Sequence, residues 1–291
     1  MNAETKLALH VSRVSLVVNL LLSAGKLLAG VLAHSGAMIS DAVHSLSDVF
    51  STLVVMIGVR AASKAEDAEH PYGHERMECV AAIVLADMLL LTGLLIGYSG
   101  VRKILGGAQA LAVPGVAALV AAAVSIVVKE GMFRYTRHHA RALRSGALMA
   151  DAWHHRSDAL SSVGALIGIG GARLGLPLLD PIASVVICLM ILKAAVDIFL
   201  DALQKMVDHS CDDETQKRLR ACAMAEPGVG HVDVLRTRKF GNRVYAEVEL
   251  AMDGSLTLTQ AHAIAERVHD RMEAELPDVK HVTIHMNPDT N

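Results

Sequence analysis

The sequence predicts an all-α six-helix transmembrane domain followed by a C-terminal α+β domain of order α-β-β-α-β. Three observations predict it. Of the 291 residues, 53% are hydrophobic, above the roughly 45–50% of soluble domains. The excess lies in the first two-thirds, in runs that match the roughly 20 apolar residues a membrane crossing needs. Beyond residue 208 the composition becomes that of a soluble domain, with strand-like alternation. The expected division is 1–208 for the transmembrane domain and 209–291 for the second domain.

Six runs qualify as spans: 14–33, 37–59, 80–100, 113–133, 147–174 and 181–200. Lys26 lies inside the first and Asp87 inside the third, while Gly175, Pro177 and Pro181 separate the last two. Orientation follows from the Lys/Arg bias of the flanks. One side collects Lys6, Arg13, Arg60, Lys64, Arg76, Lys129, Arg134, Arg137, Arg141 and Arg144; the other has Arg102, Lys103 and Arg173. Ten against three places both termini in the cytoplasm, as an even number of spans requires. The first eleven residues are polar and lack a small-residue cleavage site, so no secretory signal is expected. A net charge of −3 gives no basic field for nucleic acid. The four cysteines show no C-x-x-C spacing and are expected to be reduced structural thiols.

In the second domain, 212–225 reads as a polar-faced helix ended by Pro227 and Gly228. A strand follows at 231–240, then turn chemistry at Gly241-Asn242. The next strand, 244–252, places Val244, Ala246, Val248 and Leu250 on one face. Ser255 or Thr257 caps a helix running to Glu275, Pro277 stops it, and 279–286 forms the third strand.

A repeat links the two halves of the first domain. Residues 35–48 read SGAMISDAVHSLSD and 145–158 read SGALMADAWHHRSD, an offset of 110 that continues at Ser51/Ser161 and Gly58/Gly168. The second and fifth spans run in opposite directions, so the halves relate by inverted topology, an arrangement that places substrate near the bilayer midplane. Shared small-residue packing explains matched Gly, Ala and Ser. It does not explain matched His and Asp, because ionisable groups at membrane depth are costly and face an interior or a cavity.

His44 and Asp48 are four apart and share a helix face, as do His154 and Asp158. Facing each other, they supply two imidazoles and two carboxylates, a set suited to tetrahedral zinc. Two carboxylates neutralise a dication, so the loaded site can change its exposure. Asp41 and Asp151, three residues before each His, are candidates for orienting the imidazoles rather than binding metal. His155 points away from His154 and is not expected to be a ligand. Between the second and third spans, Asp67, His70 and His74 are ligand types at spacings of three and four, with Pro71 and Gly73 arguing for a loop.

The paired H-x-x-x-D motifs, the six spans and the polar tail resemble the cation diffusion facilitator family over nearly the whole chain, in the manner of its bacterial zinc and iron efflux members. The resemblance implies a transport site at His44, Asp48, His154 and Asp158 and a peripheral metal site at Asp67, His70 and His74. It also implies a metallochaperone-like, dimerising cytoplasmic tail that binds metal through Asp233, Glu249, His262 and His285. Asn287 stands where some members carry Asp. His269 and His281 read as surface residues. The implied function is divalent transition-metal efflux by alternating access with proton antiport, in a homodimer, in a bacterial inner membrane. A His in each motif favours zinc; iron, cadmium, cobalt, nickel and manganese remain in the set. No prosthetic group is expected. The alternative is a membrane sensor or scaffold that binds metal without moving it. An intramembrane metallohydrolase is disfavoured, since no H-E-x-x-H occurs.

Overall fold

The computed structural model describes residues 3–32, 36–105, 116–173 and 179–289. They form two compact units, 1–203 and 204–291.

The first unit is a bundle of α1 (Ala3–Leu32), α2 (Gly36–Ala62), α3 (Met77–Leu105), α4 (Val116–Ala142), α5 (Gly146–Arg173) and α6 (Leu179–Met206). Each helix has 27 to 30 residues, or about 40 Å at 1.5 Å per residue, more than a hydrocarbon core. Two extend well past the apolar runs: α1 starts at Ala3 and α4 continues to Ala142. Among the described residues, Ala3–Leu28 and Met77–Arg102 are each long and apolar enough to cross a membrane.

Burial in this unit differs from that of a water-soluble bundle: large apolar side chains lie outside, and polar ones join apolar ones inside. Val17, Leu21 and Leu28 on α1, Leu91 and Leu95 on α3, Val127 on α4 and Leu189 on α6 are all exposed. Ser12, Ser15, Asn19, Thr52 and Lys129 are buried. An apolar exterior over an interior that includes polar side chains suits hydrocarbon as the solvent, where helices satisfy their own backbone groups.

The closest pairs are α1 with α2 and α4 with α5, the same pair in each half of the repeat, while α3 packs on both α2 and α5. Small residues allow the approach. A Cβ at Gly58 on α2 would run into Ala81 on α3. On α3, a Cβ at Gly93 would lie 3.1 Å from Ile191, and one at Gly97 would run into Cys188. This G-x-x-x-G face therefore seats α6.

The second unit contains α7 (Asp213–Met224), β1 (His231–Phe240), β2 (Arg243–Asp253), α8 (Leu258–Glu275) and β3 (Val279–Asp289). The sheet order is β1-β2-β3, with β1 antiparallel and β3 parallel to β2. The parallel pairing requires a crossover, and α8 provides it. Leu219 of α7, Val248 and Leu250 of β2 and Val268 and Met272 of α8 are completely or almost completely buried and form the core. Alternation along β2 turns Glu247 and Glu249 to the opposite face.

Caps fix both helix starts. Thr257, not Ser255, caps α8: it accepts from the Gln260 N–H while Gln260 reaches back to the Thr257 N–H. Asp212 caps α7, and the Thr215 backbone N–H holds its carboxyl below the usual aspartate range. Gly241 adopts φ +63° in the β1–β2 turn, a conformation that favours glycine. All four cysteines are buried and none forms a disulfide.

Candidate metal centre

Helix periodicity assembles the central cluster. His154 and Asp158 lie four apart on α5 and share a face, and Asp48 of α2 meets them. One ligand atom from each lies within 4.8 Å of the others. His154 Nε2 is 3.3 Å from Asp48 Oδ1. The three residues are 7%, 9% and 1% exposed for His154, Asp158 and Asp48 respectively. Hydroxyls back the helices at these points: Ser51 donates to the Asp48 carbonyl at 2.7 Å and Ser162 to the Asp158 carbonyl at 3.0 Å. The side chains of Asp41 and His44 lie outside the described residues, so the fourth expected donor is not placed here.

Lys129 of α4 completes the cluster. Its ammonium donates to Asp48 Oδ2, to Asp158 Oδ2 at 2.9 Å and to Asn19 Oδ1 at 3.0 Å. An ammonium has three protons, and all three are used. The positive-inside count took Lys129 for a flanking charge. That reading is corrected: the residue is 1% exposed and lies in the helix core, leaving nine positive residues against three. A signal for it was present. Lys129 and Asn19 are separated by the same 110 residues as the repeated motif, and Ser15 and Ser125 match at that offset too. The repeat thus extends into α1 and α4. One ammonium bridges the two symmetry-related aspartates and is held by its own counterpart, Asn19.

Asp151 is fully buried and is not one of the three grouped ligands. It accepts from Thr52 of α2 at 3.5 Å, and its other oxygen is 3.5 Å from Nε2 of His155, one turn further along α5. It sits beside His155, and Nδ1 of His154 has no hydrogen-bond partner among the described residues, so Asp151 does not orient that imidazole. His155 is completely buried against it.

With this arrangement in view, a family model described as "Cation efflux transmembrane domain" matches residues 12–207. The chain belongs to the cation efflux family, the cation diffusion facilitators. A second model, "Cation efflux protein, cytoplasmic domain", matches 211–289. Metal tolerance protein C1 of Arabidopsis thaliana is 34% identical over 95% of this chain, which spans 61% of that longer protein. The manganese efflux system protein MneP of Bacillus subtilis is 30% identical over 96% of this chain and 95% of its own length. Magnetosome protein MamM of Magnetospirillum gryphiswaldense is 35% identical over 88% of this chain and 80% of its own. The chain is therefore a multi-pass membrane protein of a family of divalent-cation efflux transporters.

The other residues expected of a cation diffusion facilitator fall in two places. Asp67, His70 and His74 converge in the loop between α2 and α3, with their ligand atoms within 4.8 Å. His70 Nδ1 is 3.2 Å from one Asp67 oxygen, and His74 Nε2 is 3.5 Å from the other. The loop is shaped for this: Asp67 and His70 exchange backbone hydrogen bonds, and Gly73 adopts φ +92°. The Lys64 ammonium and the His70 N–H bind the Asp67 carboxylate and hold its pKa well below the usual range. Asp67 is thus an anion at any physiological pH.

In the second unit, Asp233, Glu249 and His285 lie on the sheet. Glu249 is opposite His285 across the β2–β3 ladder. Asn287 donates to Asp233 at 2.8 Å and to Glu249 at 3.4 Å. His262 is exposed on α8, in the helical layer. Among the described residues of one chain, these four do not gather into one ligand cluster.

Proposed function

We propose that this cation diffusion facilitator is a zinc-preferring exporter that works by alternating access and exchanges metal for protons. The observation that carries the proposal is the buried cluster of Asp48, His154 and Asp158, whose two carboxylates share one buried ammonium. A cation is held where a metal ion would be, in a bundle whose exterior is apolar. His44, at the repeat position of His154, is the proposed fourth ligand. Mixed imidazole and carboxylate donors favour zinc among the borderline ions.

Lys129 gives the empty site its counter-charge. Metal entry separates the ammonium from both aspartates, and metal release lets it return. Each end state of the cycle then carries a compensated pair of carboxylates, which lowers the cost of moving the site between faces. Proton exchange is assigned to the imidazoles, because histidine titrates near physiological pH.

Manganese is the second reading, supported by the two carboxylates and by MneP, whose name states manganese efflux. Uptake of zinc, manganese, iron and cadmium into proteoliposomes, with and without an imposed pH gradient, tests both assignments. Zinc is expected to move fastest and to respond to the gradient. Faster manganese flux rejects the zinc assignment, and flux indifferent to pH rejects antiport. Metal binding without flux of any ion would favour the sensor or scaffold alternative.

The transmembrane domain is taken as 1–208 and the cytoplasmic domain as 209–291. In support, the His209 carbonyl accepts from Lys239 of β1, and Ser210 meets Thr237. Asp67, His70 and His74 are proposed as a peripheral structural metal site. Asp233, Glu249, His262 and His285 are proposed as cytoplasmic ligands completed across a homodimer, since one chain alone does not bring them together. Both termini are placed in the cytoplasm and the host membrane is taken as a bacterial inner membrane.

A further inference from the structure

Three side chains at the far end of α8 stand apart from every site considered so far. His269 and Glu273 are one turn apart on α8, and His281 is on β3, just beyond the turn that joins the two elements. His269 Nε2 is 3.0 Å from Glu273 Oε1, and His281 Nδ1 is 3.3 Å from the same oxygen. The two rings are 5.3 Å apart and nearly perpendicular. From the sequence both histidines read as surface residues. The crossover of the parallel β2–β3 pair is what brings them together.

Hydrogen bonding does not account for the arrangement. Glu273 Oε1 is shielded from solvent, yet it has no directed hydrogen bond despite two imidazole nitrogens within reach. The nitrogens approach at hydrogen-bond distance but out of line with the oxygen. One ligand atom from each of the three side chains lies within 4.8 Å of the others, close enough to share one ion. Tetrahedral zinc with metal–ligand distances near 2.0–2.2 Å places neighbouring donor atoms about 3.3 Å apart, close to both separations here. The side chains are 29%, 34% and 53% exposed for His269, Glu273 and His281, so an ion can reach them and water can supply a fourth ligand.

We propose that His269, Glu273 and His281 form a further metal site, taking a borderline divalent cation of the zinc, cobalt or nickel class. One chain supplies all three ligands, whereas Asp233, Glu249 and His285 lie on the sheet and His262 lies near the other end of α8. Bound metal pins the last turns of α8 to the start of β3 across Leu276–Asp278.

The test is zinc stoichiometry by equilibrium dialysis of the full-length protein in detergent, with cobalt absorption as a second readout. His269→Ala, His281→Ala and Glu273→Gln should each bind one zinc fewer per chain than wild type and lose the same component of the visible cobalt spectrum. Glu273→Gln keeps the size of the side chain, and circular dichroism checks the fold. The same loss should occur in an Asp48→Asn background, which separates this site from the one between the helices whatever becomes of the transport reading. An unchanged zinc count in all three variants, with the cobalt spectrum intact, would overturn the proposal.

Discussion

Replacing Lys129 by Met tests whether the ammonium stands in for the metal. The substitution keeps most of the side-chain length and removes the charge. Asp48 and Asp158 then face each other in the helix core without the cation that both now contact, the latter at 2.9 Å. All three side chains are at least nine-tenths buried, so water does little to screen the loss. Removing one partner of such a buried set costs about 3–5 kcal/mol. Zinc restores the missing charge, and it no longer has to separate an ammonium from two carboxylates. If about 3 kcal/mol of the cost returns on binding, affinity rises roughly a hundredfold, at 1.4 kcal/mol per factor of ten. The assay is a zinc titration against a chromophoric chelator on purified protein, alongside thermal melting with and without zinc. Lys129→Met should melt lower than wild type without zinc, regain its stability with zinc, bind zinc more tightly and release it more slowly during transport. A variant with wild-type metal-free stability and unchanged or weaker zinc affinity would refute the reasoning.

Other consequences follow from the packing and the caps. Thr257→Ala removes the capping box of α8 and should cost about 1 kcal/mol of stability in the C-terminal unit, measurable by denaturant melting. Gly97→Leu forces a side chain into Cys188 of α6 and should cost about 1–3 kcal/mol by overpacking, seen as a lower melting temperature of the full-length protein. The carboxyl of Asp212 is depressed in the folded state, so its contribution is present above the usual aspartate pKa of about 3.9 and is lost as pH falls below it. Wild type should therefore be more stable than Asp212→Ala at neutral pH, and the two melting temperatures should converge in acid.

The order of elements was legible because each boundary has a local cause. Strands of the C-terminal unit follow from alternation such as Val244, Ala246, Val248 and Leu250, all of which are buried. The helix starts follow from Asp212 and Thr257, although composition alone left Ser255 as a rival cap. The motif pairs on α2 and α5 were visible because His and Asp in an apolar run need an explanation. Helix ends were less legible. Polar residues at the start of α1 and the end of α4 continue the helices past the apolar runs, which hydropathy does not register. Lys129 was misplaced for a related reason: loop charge counting weighs a lysine by its position near a span end, and only the offset of 110 to Asn19 distinguishes a core lysine from a flanking one. The i,i+4 spacing of Asp151 and His155 was legible too, but the three-residue step from Asp151 to His154 offered a rival partner. The His269, Glu273 and His281 cluster depends on a crossover, and no local pattern announces it.

The most direct test of the account is zinc flux into proteoliposomes by Asp48→Asn and by Asp158→Asn, compared with wild type at matched incorporation. Each change removes one carboxylate charge from the ligand set while preserving shape. The account predicts that either substitution abolishes flux while helical content stays at the wild-type level. Wild-type flux from either variant would contradict the assignment of Asp48, His154 and Asp158 as the transport site.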